Sequence, residues 1–101
     1  MKRKEEMYSI ILNMELKELQ KILKALANKR RLAVLRFLKK NGEANVTEVA
    51  EEINLSVKST SRHLSVLFSA DLVERDQRSL EVYYRCTTSF PSVIKGIISI
   101  L

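Results

Sequence analysis

A mainly α-helical domain with one β-hairpin between its fourth and fifth helices, in the order α-α-α-α-β-β-α, is the fold class this sequence predicts. Two observations point there. Between Leu12 and Leu67 apolar residues recur at spacings of three and four within successive segments, which places them on helical stripes. From Leu72 to Cys86 the period changes: "LVERD" and "LEVYYRC" are β-rich runs parted by the polar "QRS", which reads as two strands and a short tip. The 101 residues have room for one domain, 1–101, burying about two-thirds of its unfolded surface, so association would help a core this small.

The first helix is expected over about residues 4–26, with Leu12, Leu16, Leu19, Leu23 and Leu26 on one stripe. Met7, Ile11 and Met14 form a second stripe, which predicts a helix shared with another subunit. Asn28 caps "KRRLAVLRFLKK", whose Leu32, Val34, Leu35 and Leu38 face inward and which Asn41 and Gly42 stop. In "NVTE", Asn45 is an N-cap and Glu48 completes a variant of the capping box ahead of Val49, Ala50 and Ile53. Asn54 tolerates the left-handed conformation of a tight turn, and Ser56 then caps a fourth helix with Thr60, Leu64 and Leu67 buried and Val57 and Phe68 at its margins. Two helices joined by so short a turn, over about 45–69, the second with small polar residues outward, have helix-turn-helix geometry. The hairpin follows at about 72–86. Pro91 opens a final helix, about 90–101, where Val93, Ile94, Ile97, Ile98 and Leu101 cover about half the circumference. Such a face predicts packing against a symmetry mate and the first helix, so both are read as dimerisation helices.

A net charge of +6 and a pI near 9.7 favour a polyanionic partner, and the distribution sharpens this. Residues 28–40 hold Lys29, Arg30, Arg31, Arg36, Lys39 and Lys40 without an acid; residues 41–55 hold Glu43, Glu48, Glu51 and Glu52 without a base; Lys58 and Arg62 follow. A single cysteine, Cys86, forms no intrachain disulfide, and the charged N-terminal run lacks a signal-peptide pattern, so a cytoplasmic location is expected. "SVIKGIISIL" is too short and too interrupted to span a membrane.

The stretch "LSVKSTSRHLSVL" joins serines to the chain's one histidine, His63, which raises catalysis as an option. Spacing argues against it. His63 lies two residues from Ser61 and from Ser65, and such neighbours point in different directions on a helix. With no glycine-rich phosphate loop, cofactor motif or acid pair, neither an enzyme nor a cofactor is expected. Major-groove insertion instead asks for a narrow face of residues that hydrogen-bond at close approach, as Lys58, Ser59, Ser61 and Arg62 do, with Ser65 further along.

The run from Leu23 to Cys86, above all "ALANKRRLAVL", "VTEVAEEINLS", "STSRHLSVL", "DLV" and "VYYR", resembles the ArsR family of winged helix-turn-helix repressors. The resemblance implies a homodimer joined by its first and last helices, a recognition helix in the major groove and the hairpin as a wing beside the minor groove. The expected DNA-binding residues are Ser56, Val57, Lys58, Ser59, Ser61, Arg62 and His63, with Arg75, Gln77 and Arg78 on the wing. Val57, where the family often has a polar residue, would meet a thymine methyl, and His63 would support the helix or touch a phosphate. Arg30 and Arg31 would hold a phosphate at a helix start, Arg31 matching a family position that is more often structural. The expected dimer contacts are Met7, Ile11, Met14, Val93, Ile94, Ile97, Ile98 and Leu101.

The chain departs from the family's pattern in two places. The wing lacks a tip glycine, and Glu74, Asp76 and Glu81 dilute its charge. Many members sense metals through paired cysteines before the recognition helix or through His and carboxylate ligands in the last helix; neither set is present, so no metal site is expected. Cys86 reads as a small buried hydrophobe unless a depressed pKa makes it a redox sensor. The expected partner is double-stranded DNA at a pseudo-palindromic site, and the expected activity repression; operator, target genes and effector are not encoded legibly. The rival is a winged-helix module for protein interaction with weak or no specific DNA binding.

Overall fold

A computed structural model describes residues 15–101. Met7, Ile11, Met14 and the first part of the expected first helix lie outside these. Five helices and three short strands follow in the order α1 (Leu16–Leu26), α2 (Lys29–Asn41), β1 (Ala44–Asn45), α3 (Val46–Ile53), α4 (Val57–Ser69), β2 (Val73–Arg78), β3 (Glu81–Cys86) and α5 (Ser92–Ser99).

The caps legible in the sequence are made. Asn28 Oδ1 accepts from the Arg31 amide at 3.1 Å. Asn45 and Glu48 bond each other's backbone amides at 2.9 and 3.0 Å, closing the capping box. Gly42 stops α2 at φ 90°, where a side chain would be strained. Asn54 is left-handed (φ 54°, ψ 54°), with its amide on the Glu51 carbonyl and the Leu55 amide on that of Ala50. That is a Schellman end, and it sets the turn into α4. Asp71, at φ 58°, ends α4 the same way, with the Asp71 amide on Phe68 O and the Leu72 amide on Leu67 O.

The sheet corrects the expected two-stranded hairpin. Its order is β1-β3-β2, all antiparallel, with Ala44 opposite Tyr84 and Asn45 opposite Tyr83. A two-residue strand is too short to show a period, and its alanine and asparagine carry no β preference. The first strand of the hairpin also reaches two residues further than expected, and the second begins one residue later. Gln77 and Arg78 pair with Val82 and Glu81, so the tip is Ser79 and Leu80. Ser79 takes the positive φ, 57°, that a tip glycine would otherwise supply.

The core joins Ile22, Ala25 and Leu26 of α1, Val34, Leu35 and Leu38 of α2, Val49 of α3, Leu64 and Leu67 of α4, Leu72, Val73 and Tyr84 of the sheet region, and Ile94 and Ile98 of α5. Of the leucine stripe on α1, Leu26 is buried and Leu16 and Leu23 are exposed, while Ile22 and Ala25 join Leu26 in the core; one expectation changes on α5. Ile94 and Ile98, expected at the dimer contact, are 0% and 6% exposed and fill the protomer's own core. Of the other expected contacts there, Val93 is exposed and Ile97 and Leu101 are partly buried against the core, while Ile100, just past the helix end, is exposed.

Candidate nucleic-acid interface

Helix α4 is held down by Thr60, Leu64 and Leu67, all fully buried at the four- and three-residue spacing of one stripe. The Ser56 hydroxyl accepts from the Ser59 amide at 3.1 Å, fixing where the helix begins. Diametrically opposite run Lys58, Arg62, Ser65 and Ser69, each exposed. Ser59 and Ser61 lie on the two flanks and are half-buried, so the outermost polar strip is Lys58, Arg62 and Ser65. Ser65 was expected further along this face, and Ser69, not among the expected contacts, is found by stepping four, three and four residues from Lys58. Val57 is half exposed in the first turn.

His63 is half-buried at the border between α4 and the base of α2, with Nδ1 3.4 Å from Nη1 of Arg31. Arginine only donates, so Nδ1 is the acceptor and Nε2 carries the proton. Burial first, then the charges of Arg31 and Arg30, push the His63 pKa below its ordinary value. Arg31 in turn donates from Nε to Ala25 O at 2.6 Å and from Nη2 to Lys24 O at 2.9 Å, a cation on the carbonyl end of α1. Its role in the fold is to tie α1, α2 and α4 together. Lys39 does the same for α5, with Nζ at 3.1 and 3.0 Å from the carbonyls of Ile98 and Ser99.

The wing is internally neutralised. Arg78 makes a two-pronged pair with Glu43, a third bond to Asp76 at 3.0 Å, and stacks over Tyr83. The pair lowers the Glu43 pKa and raises that of Arg78. Arg85 pairs with Glu74 at 3.0 Å. Arg75 lies over the Phe68 ring, 3.9 Å from its centroid, which fixes it beside the end of α4. Gln77 donates weakly to Ser79 O at 3.5 Å. Arg78 is thus placed against carboxylates rather than left open, and Glu43, its main partner, was missed in the sequence because 35 residues separate the two.

Cys86 is half-buried with Sγ 3.7 Å from the Leu35 carbonyl, and burial raises its pKa, which keeps it a thiol. Among the described residues no three of His, Cys, Asp or Glu come close enough to hold a metal ion, and no helix is long and apolar enough to cross a membrane.

This helix-turn-helix lies within a sequence and fold that known proteins share. Residues 28–75 match the model of the bacterial regulatory proteins of the arsR family. The chain is 31% identical over 88 residues to the transcriptional repressor PagR of Bacillus anthracis, covering 87% of this chain and 85% of PagR. The chain belongs to the ArsR family. A second ArsR-like relative, the transcriptional activator HlyU of Vibrio cholerae, is 33% identical over 95 residues, with 87% and 84% covered. Among solved structures, a homodimeric winged helix-turn-helix DNA-binding domain of Mycobacterium bovis, a possible ArsR-family regulator, superposes with a TM-score of 0.74 at 29% identity, covering 84% of this chain and 78% of that one. Within the ArsR frame, α3 and α4 are the helix-turn-helix, and β2 and β3 the wing.

Proposed function

We propose that this ArsR-family protein is a DNA-binding transcriptional regulator that acts as a homodimeric repressor. Two copies of α4 enter successive major grooves about 34 Å apart on a pseudo-palindrome. The observation that carries the reading is the outward strip of α4, where Lys58, Arg62 and Ser65 stand exposed directly opposite the buried Thr60, Leu64 and Leu67. The cations supply affinity through phosphates and guanine edges, and the serines permit close approach. Val57, Ser59 and Ser61 contact bases or phosphates from the flanks, and Ser56 serves as cap and phosphate donor. Of the wing, Arg75 and Gln77 reach the backbone, while Arg78 is held by Glu43 and Asp76.

The dimer forms through the outer face of α1, where Leu16, Leu19 and Leu23 border a shallow apolar groove, and through the exposed Val93 and Ile100 at the two ends of α5. Exposed apolar side chains on the two terminal helices are what an isologous interface covers.

Titrating duplex fragments at several salt concentrations tests the reading. Affinity should fall steeply with salt, and Lys58→Ala with Arg62→Ala should cost about 1–3 kcal/mol per contact while the dimer persists. No binding to any genomic fragment at low salt would refute it. A reporter placed behind a selected operator decides between repression and activation.

A further inference from the structure

The acid-free segment 28–40 contributes six cations, and the fold divides them into two uses. Arg31 and Lys39 are engaged with carbonyls at the ends of α1 and α5. The other four, Lys29, Arg30, Arg36 and Lys40, all line one groove between α2 and the end of α3. Its floor is Ala33, Phe37 and Ile53, its one acid is Glu52, and its volume is about 540 Å³. Among the described residues none of the four cations has a carboxylate within ion-pair distance. Arg30 alone has a polar partner there, the Ile53 carbonyl at 3.3 Å.

Unpaired cations gathered over an apolar floor focus a positive field, because low-dielectric walls screen them poorly. From Lys29 to Lys40 the strip runs about 16 Å along the helix at the usual rise per residue, long enough to meet more than one phosphate of a nucleic-acid strand. Its position fixes which polyanion it meets. The groove is bounded by Glu52, Ile53 and Asn54, and only Leu55 and Ser56 separate Asn54 from Val57, so the Asn54 edge of the rim is no more than about 11 Å from the first turn of α4. Duplex DNA seated on α4 therefore has its backbone within reach of this rim.

We infer that the α2 groove, through Lys29, Arg30, Arg36 and Lys40, is a second phosphate-binding strip that extends the DNA contact beyond α4. This rests on the DNA-binding reading above. The strip supplies affinity and register without base selectivity, since phosphates carry no sequence information directly.

The test compares the intact dimer with its Arg36→Ala, Lys40→Ala double variant on operator and on unrelated duplex, across a salt series. Both side chains are exposed, so the fold should persist, which circular dichroism and thermal unfolding verify. The expected result is a slope of log affinity against log salt shallower by about four, two contacts for each copy in the dimer, an equal loss on both duplexes, and loss of protection at the phosphates nearest the turn before α4. Arg36→Lys with Lys40→Arg should restore the slope, separating charge from structure. An unchanged slope and footprint in the double variant, with the wild type binding normally, would overturn this inference and leave the α4 reading standing; the groove would then serve an acidic protein or solvent alone. A wild type that binds no duplex overturns both.

Discussion

Arg78 donates from its two terminal nitrogens to the two carboxylate oxygens of Glu43, at 2.7 and 2.8 Å, joining the wing tip to the loop before β1. Asp76 takes the remaining Nε at 3.0 Å. A wing whose most distal arginine is already doubly paired has little free charge to offer a phosphate. Arg78→Ala should therefore change operator affinity less than about twofold, the range of an exposed pair. Glu43→Gln with Asp76→Asn should do the opposite, releasing a guanidinium in each copy and steepening the salt slope by about two. Filter-binding or anisotropy titrations read both.

The hydroxyl of Thr60 is buried beneath α4 with no hydrogen-bond partner among the described residues. A buried polar group left unpaired opposes folding, whereas an isosteric methyl in its place does not. Thr60→Val should raise stability by about 1 kcal/mol in urea unfolding and leave DNA affinity unchanged, because the side chain points away from the outward strip. A destabilised Thr60→Val would mean that the hydroxyl has a partner.

Helix α5 carries buried and exposed apolar residues side by side, and they are expected to serve different contacts. Ile94→Ala should cost about 2–5 kcal/mol of protomer stability by opening a cavity in the core. Val93→Glu with Ile100→Glu, both exposed, should leave the protomer folded and convert the dimer to monomers, as sedimentation or light scattering would show. If Ile94→Ala dissociates the dimer without loss of protomer stability, the division is misassigned.

How far the sequence disclosed these features depends on how far apart the interacting groups lie. Ser56, Thr60, Leu64 and Leu67 belong to one amphipathic helix, so residue type and spacing were enough to find its cap and its buried stripe. Asn45 with Glu48, and Asn54, were equally local. Helix α5 was not: with Val93, Ile94, Ile97, Ile98 and Ile100 over about half of its circumference, composition gave no sign of which of them met the core. Nor could spacing show that Lys39 reaches carbonyls 59 and 60 positions away, or that Glu43 holds Arg78. Those pairings depend on the tertiary path of the chain, and they decide which cations remain for DNA.

The contact of Arg31 with His63 gives the fold a pH dependence of definite sign. Burial, then Arg31, then Arg30, hold the imidazole below its ordinary pKa of 6.5, so the folded chain takes up that proton less readily than the unfolded one. Above about pH 6.5 both states are neutral at this residue and it contributes no pH dependence. As the pH falls below that value the unfolded state gains the proton first, and stability declines until the folded-state pKa is passed, after which the loss is constant. The protonated ring would also lose Nδ1 as an acceptor and face a guanidinium at 3.4 Å. Thermal unfolding at pH 7.5 and pH 5 should therefore show a larger drop in Tm for the wild type than for His63→Gln, whose amide does not titrate. Equal drops in the two proteins would show that His63 is not the group responsible.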